Sequence, residues 1–228
     1  MATRRAAEPA APDRRRDAER TRTEILEVAT REFAANGYAG TRVDDMAERM
    51  RTTKRMIYYY FGGKEQLYIA VLERAYAEIR RAEREVDVDG LDAAGAVRRI
   101  AELTFDHHES HPDFIRLVSI ENIHRAEHMA RSQAIAELGT PATDLLERIL
   151  ERGRAEGVFR TDVDAVDVHM MISAFCVFRI ANRHTFGTLF GRDLAGPELR
   201  DRYRRMVGDM IVGYLTGPPA PDRPRPGA

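Results

Sequence analysis

Apolar positions recur at three- and four-residue spacing along nearly the whole chain, and no stretch alternates convincingly as a strand would. Ile25, Leu26, Ala29 and Phe33 give one apolar face to a first helix expected from about Arg16 to Asn36. The run "NGY" stops it, with Gly37 as its left-handed cap. Thr41 is the expected N-cap of a short helix, Val43 to Met50. Asp44 and Asp45 occupy its first turn, where the macrodipole favours acids. A three-residue break, "RTT", follows. Thr53 then caps a second short helix from Lys54 to Tyr60, which "FGG" ends. Lys64 starts a long helix to about Glu85, with Leu67, Val71, Ala75 and Ile79 on one side.

From Asp92 on, the pattern predicts five or six more helices. They fall on "LDAAGAVRRIAELTFDHHES", "PDFIRLVSIENIHRAEHM", "TPATDLLERILERGRAEG", "DAVDVHMMISAFCVFRIANRHTF" and "GPELRDRYRRMVGDMIVGYL". Pro141 suits a first turn and Gly157 a helix end. The fold class expected is therefore all-α. Residues 1–16, rich in Ala, Pro and Arg, read as a disordered basic arm, and the proline-rich 217–228 as a disordered tail. Between them, 17–64 form one domain and 65–216 a larger helical one.

Composition narrows the function classes. The formal net charge is −1, so affinity for nucleic acid must come from local charge. No apolar run approaches the roughly 18 to 20 residues of a membrane span, and the basic N-terminus lacks the apolar segment of a secretory signal. The single cysteine, Cys176, excludes a disulfide framework within one chain and suits a reducing cytosol. It lies in "SAFCVF", where a small core residue is the plain reading. There is no nucleophile–base pair, glycine-rich phosphate loop or firm metal motif. An enzyme built on the His and Glu residues of the second half is the rival class.

Local chemistry concentrates in "RTTKRMIYYYFGGKEQLY", residues 51–68. It holds both lysines of the chain, Lys54 and Lys64, and four of its eight tyrosines. Two short helices joined by a tight turn, after a longer one, form a helix-turn-helix signature. In that motif the second helix of the pair enters the major groove by its N-terminal end. Here that end is Thr53, Lys54, Arg55 and Met56, with Tyr58 and Tyr59 further along. Ile57, Tyr60 and Phe61 can face the core. Gly63 and Lys64 open the next helix, where free amides and an ammonium suit a phosphate.

The segment "TRTEILEVATREFAANGYAGTRVDDMAERMRTTKRMIYYYFGGKEQLYIAVLERAY" resembles the DNA-binding domain of the tetracycline-repressor (TetR) family of transcriptional regulators. It carries the framework "A…F…GY…T…V…IA", with Met46 in place of Ile, and the ending formed by Tyr58, Tyr60, Phe61, Lys64, Glu65 and Leu67. The resemblance implies an all-helical homodimer in which each subunit joins a helix-turn-helix to a larger helical domain for a small-molecule effector and for dimerisation. DNA contacts would fall on Thr41, Arg42, Thr52, Thr53, Lys54, Arg55, Met56, Tyr58 and Tyr59, with Lys64 on phosphate. The family usually has Gly in the turn where this chain has Arg51, which could reach phosphate. The arm's Arg4, Arg5, Arg14, Arg15 and Arg16 could enter a minor groove; a solvated tail is the plainer reading for Arg4 and Arg5, and phosphate contact is open to Arg14 to Arg16. The partner implied is a double-stranded DNA operator, and the place of action the cytoplasm. No cofactor is implied.

The effector site is expected among Phe105, His108, Phe114, Leu117, Glu121, Asn122, Phe175, Phe178, Arg179 and Asn182, which mix aromatic and polar groups as ligand pockets do. Ser119 lies in the same stretch. Arg179 could pair with a carboxylate. Helical spacing also puts Glu121, His124 and His128 in line, as a metal site would have them; ordinary surface or pocket histidines are the stronger reading, as they are for His107, His108 and His111. By the same resemblance, about 141–156 and 164–186 form the dimer interface. A DNA-binding regulator without an effector, or an activator, fits the same residues.

Overall fold

The computed structural model describes residues 11–50 and 52–218, side chains excepted at 11–15 and 139–142. The expectations placed on Arg4, Arg5, Arg51, and residues 219–228 lie outside it, as do the side chains of Arg14 and Arg15. Among the described residues there are eleven α-helices and no strand. They are α1 Ala11–Gly40, α2 Val43–Arg49, α3 Lys54–Phe61, α4 Lys64–Arg84, α5 Ala93–Ser110 and α6 Pro112–Ile123. Then come α7 Gln133–Glu137, α8 Gly139–Ala155, α9 Ala165–Ala181, α10 Arg183–Phe190 and α11 Arg200–Thr216. Single 3-10 turns sit at Met129–Arg131 and Pro197–Leu199.

α1 starts earlier than the sequence pattern placed it. Pro12 stands in its first turn, where a missing N–H costs nothing, and Ala, Arg and Glu continue it. At its other end the path breaks at Gly37 as expected, but the helix resumes to Gly40 and Gly37 is not a left-handed helical cap. Gly37 takes φ 69° and ψ 173°, a backbone that breaks the helical path where a Cβ would be strained.

Two long stretches expected as single helices are broken. "PDFIRLVSIENIHRAEHM" ends its helix at Ile123, and Arg125 and Ala126 both turn left-handed at φ 58° and 57°. The long apolar stretch after Asp164 breaks at Asn182, and α9 and α10 meet at a bend of 70°. Neither break has Gly or Pro, so local sequence does not announce it. No single helix among the described residues is long and apolar enough to cross a membrane.

Two apolar cores hold the helices. One joins Ile25, Phe33, Met46, Ile57, Leu67 and Val71 to Phe114, Ile115 and Leu117. The other joins Ala96, Ile100 and Phe105 to Leu146, Leu150, Ile172, Val207 and Ile211. The first core continues past Lys64. α6, far along the chain, packs on α1, so the helix-turn-helix unit and the larger unit share apolar contacts.

Candidate nucleic-acid interface and buried polar site

α3 is held by its inward face. Ile57 and Phe61 are buried against Met46 of α2, and the Arg22 guanidinium lies 5.0 Å from the centre of the Phe61 ring. The turn before α3 is closed by the Thr52 N–H, which donates to Ala47 C=O at 3.0 Å. This anchoring turns the opposite face of α3 outward. Thr53, Lys54, Arg55 and Tyr58 are exposed there, Tyr59 is 77% exposed, and Met56 is half-buried. Lys54 Nζ sits 3.2 Å from Asp44 Oδ2 on α2, which fixes the ammonium beside the N-terminal turn of α3. Arg42, the N-cap of α2, is exposed on the same unit.

Lys64 opens α4 with its Nζ 4.5 Å from the centre of the Tyr38 ring. Partial burial lowers the ammonium's pKa. The Tyr38 phenol is raised, first by burial and then by the Glu65 charge. Thr41 departs from expectation. It is only 2% exposed, and its hydroxyl donates inward, with Gly37 C=O at 2.8 Å and Glu32 C=O at 3.1 Å. It knits the end of α1 to α2, and Arg42 takes the N-cap position instead.

In a helix-turn-helix the second helix of the pair presents such an outward face to the DNA major groove. The chain belongs to the TetR family. The family's N-terminal model, bacterial regulatory proteins of the tetR family, matches residues 25–71. Its tetracyclin repressor-like C-terminal domain matches 94–211. The HTH-type transcriptional repressor NicS of Pseudomonas putida is 34% identical over 202 residues, 89% of this chain and 95% of that one. The HTH-type transcriptional repressor SCO4008 of Streptomyces coelicolor is 29% identical, over 86% of this chain and 97% of that one. Among solved structures, a putative transcriptional regulator SCO4942 of Streptomyces coelicolor superposes with a TM-score of 0.64 at 27% identity, covering 87% of this chain and 99% of that one. The chain is thus a DNA-binding transcriptional regulator of the TetR family.

The residues expected at an effector site scatter. Leu117 is fully buried in the first core, and Asn122 is exposed with its amide donating to Val118 C=O. Glu121, 1% exposed, accepts from the backbone N–H groups of His128 and Met129 at 3.2 and 3.1 Å, and its other oxygen lies 3.2 Å from His128 Nδ1. It caps the left-handed loop after α6. Because α6 ends at Ile123, His124 and His128 do not share a helical face. His124 is exposed and His128 buried, which removes the spacing a metal site needed.

Arg179 is also committed. Its guanidinium lies 4.0 Å over the Phe105 ring and donates to Leu194 C=O at 3.1 Å and to Glu109 at 3.0 Å. It is a tie between α9 and α5, so it cannot offer a free fork to a carboxylate. Phe105 is core beneath it. Asn182 serves the α9–α10 bend, donating from its N–H to Phe178 C=O and accepting from Phe186 N–H. Cys176 is buried, and burial pushes its thiol up to about 12, so it is inert at neutral pH.

His108 and Phe114 do come together, with residues the sequence reading left out. Arg80 and Glu83 of α4 are both buried and joined by a direct ion pair from Nη1 to Oε2. His107 and His108 of α5 are 9% and 5% exposed, and His169 of α9 is electrostatically coupled to His108. Burial, reinforced by neighbouring histidines and Arg80, lowers His107 to about 4 and His108 to about 3. Both ring nitrogens of His107 and the Nδ1 of His108 have no hydrogen-bond partner. Each such orphan costs about 1–3 kcal/mol. The signal was present in the sequence. Arg80 lies four residues after Tyr76 and Glu83 four after Ile79, so both charges continue the apolar face of α4.

Phe175 and Phe178 lie elsewhere, on an open groove of about 780 Å³ between α9 and α11, with Phe186, Tyr203, Met210 and Tyr214. Val166, Met170, Leu189 and Phe190 extend this apolar face. α8, expected to share it, turns Leu146, Ile149 and Leu150 into its own chain's core.

Proposed function

We propose that the chain acts as a homodimeric repressor that binds a palindromic operator and is released from it by a small molecule. The observation that carries the DNA half is the outward face of α3, from Thr53 to Tyr59, held at a fixed height by Ile57 and Phe61. Arg55 and the exposed hydroxyls can reach base edges. Lys64 and Arg42 suit phosphates.

The apolar face of α9, α10 and α11 supports the dimer. A soluble chain rarely exposes so many large apolar side chains in one place without covering them. Pairing α9 and α11 with their mates covers Met170, Phe178, Met210 and Tyr214. It also sets two α3 helices for half-sites roughly 34–36 Å apart. In this reading the interface lies on α9–α11 in preference to 141–156. The partner is double-stranded DNA, which puts the protein in the bacterial cytoplasm, and nothing in the site calls for catalysis.

Release requires an effector that binds the DNA-competent and DNA-incompetent states with different affinity. α4 is the connecting element, since it begins at Lys64 beside the DNA and ends at Arg80 and Glu83 in the buried polar site. The test is selection of bound genomic fragments by the purified protein, then footprinting of the best one. The expected result is a protected palindrome. Equal affinity for random DNA overturns the reading.

A further inference from the structure

The leading end of α3 carries a charge arrangement that the fold does not need. Arg42 stands exposed at the N-cap of α2, and Lys54 and Arg55 stand exposed in the first turn of α3. Of these three cations, only Lys54 has an ionic partner among the described residues. Its Nζ lies 3.2 Å from Oδ2 of Asp44 on α2. The two side chains keep 50% and 55% of their surface exposed, and an ion pair so open to water adds little to stability. Its place matters more than its strength. It joins the first turn of α2 to the first turn of α3, the end that this motif sends into the major groove.

A carboxylate there is a liability for binding. Phosphates line both sides of the groove, and Asp44 repels them across a Debye length of about 8–10 Å. The helix dipole does not require it. Asp45, in the same turn, already places a negative charge at the N-terminus of α2, and it is exposed without an ion pair among the described residues. What Asp44 does and Asp45 does not is hold Lys54.

A lysine left to itself is a point charge on a flexible four-carbon stem, and it settles on whichever phosphate is nearest. Its ammonium has three N–H donors. With one given to Asp44, two remain, and the stem is anchored. The major-groove edge of guanine offers two adjacent acceptors, O6 and N7. Adenine offers N7 beside an amino donor, which opposes an ammonium N–H.

We propose that Asp44 is a positioning residue for base recognition: it holds the Lys54 ammonium off the phosphates and turns it toward a guanine in each operator half-site. The inference rests on the operator-binding reading given above and deepens it. The cations of this face then divide by task, with Lys54 on a base and Arg42 and Lys64 on phosphates.

The test measures Asp44→Asn and Asp45→Asn by fluorescence anisotropy on the footprinted fragment and on a random duplex of equal length, over a salt series. Asp44→Asn frees Lys54 for the backbone. It should bind random DNA about threefold tighter, with the slope of log affinity against log salt steeper by about 0.9. Its operator-to-random ratio should fall about tenfold, and the fragments it selects should lose the guanine preference at one position of each half-site. Asp45→Asn removes the same charge from the same turn without releasing Lys54, so its ratio should stay within about twofold of the wild type. In a Lys54→Met background, Asp44→Asn should no longer change the ratio. These positions are exposed, so the variants should fold as the wild type does. An unchanged ratio in Asp44→Asn, an equal fall in Asp45→Asn, or a fall that persists without Lys54 overturns the inference. A wild type with no preference for its selected fragment overturns the operator reading as well; a wild-type preference that survives Asp44→Asn overturns this inference alone.

Discussion

The imidazole of His128 lies 4.3 Å, centre to centre, from the ring of Tyr38. One belongs to the loop after α6 and the other to the end of the DNA-binding unit's first helix. Tyr68 of α4 closes the group at 4.9 Å from His128 and 5.2 Å from Tyr38. Lys64 sits on the Tyr38 ring, so the α6 loop touches the base of a candidate phosphate contact through two side chains. The Glu121 carboxylate holds that loop. Glu121→Ala leaves the His128 and Met129 N–H groups buried without acceptors and should destabilise the protein by about 2–4 kcal/mol in urea denaturation. His124→Ala, at an exposed position, should change stability by less than about 0.5 kcal/mol. Equal effects at the two positions would remove Glu121 from its capping role.

Lys64→Ala should weaken binding to all DNA sequences and reduce the slope of log affinity against log salt by about 1. Fluorescence anisotropy on operator and random duplexes over a salt series measures both. An unchanged slope takes Lys64 off the phosphate backbone and leaves its contact with Tyr38 as its role.

Arg55 lies exposed on the outer face of α3, one residue after Lys54. Arg55→Ala should cost about 1–3 kcal/mol on the operator and much less on random DNA. Competition binding distinguishes the cases. An equal loss on both makes Arg55 a phosphate contact.

Met170 and Phe178 stand on the outer side of α9, and burying a charge there without a partner is costly. Met170→Glu should shift the protein from dimer to monomer in sedimentation at micromolar concentration, and operator affinity should fall with it. A dimer that persists would move the interface away from this face.

The buried imidazoles make stability depend on pH. The folded His108 takes a proton only near pH 3, whereas the unfolded side chain takes one near 6.5. The unfolded state therefore binds more protons in between. The stabilisation is complete above pH 6.5 and falls as pH drops toward the folded value. His108 alone accounts for a loss of about 2 kcal/mol by pH 5. His108→Phe should flatten the melting temperature between pH 7 and 5 relative to the wild type. Parallel profiles would show that His108 takes its proton as readily in the fold as in the unfolded chain.

The helical periodicity determined much by itself. The α1 face of Ile25, Ala29 and Phe33, the break at Gly37, and the boundaries of α3 and α4 follow from spacing and from glycine, because these act within one or two turns of chain. The outward face of Thr53, Lys54, Arg55 and Tyr59 was legible for the same reason: Ile57 and Phe61 leave it only one side to occupy. What spacing cannot encode is which helix lies opposite. The tertiary structure alone decided that Thr41 turns inward to Glu32, that α6 stops at Ile123 and α9 at Ala181, and that Arg179 is spent on Glu109. It also decided that α8 belongs to the core and α11 to the open apolar face, and that Arg80, Glu83, His107 and His108 meet. Each depends on contacts between residues far apart in sequence, whose burial and partners exist only once the helices have packed.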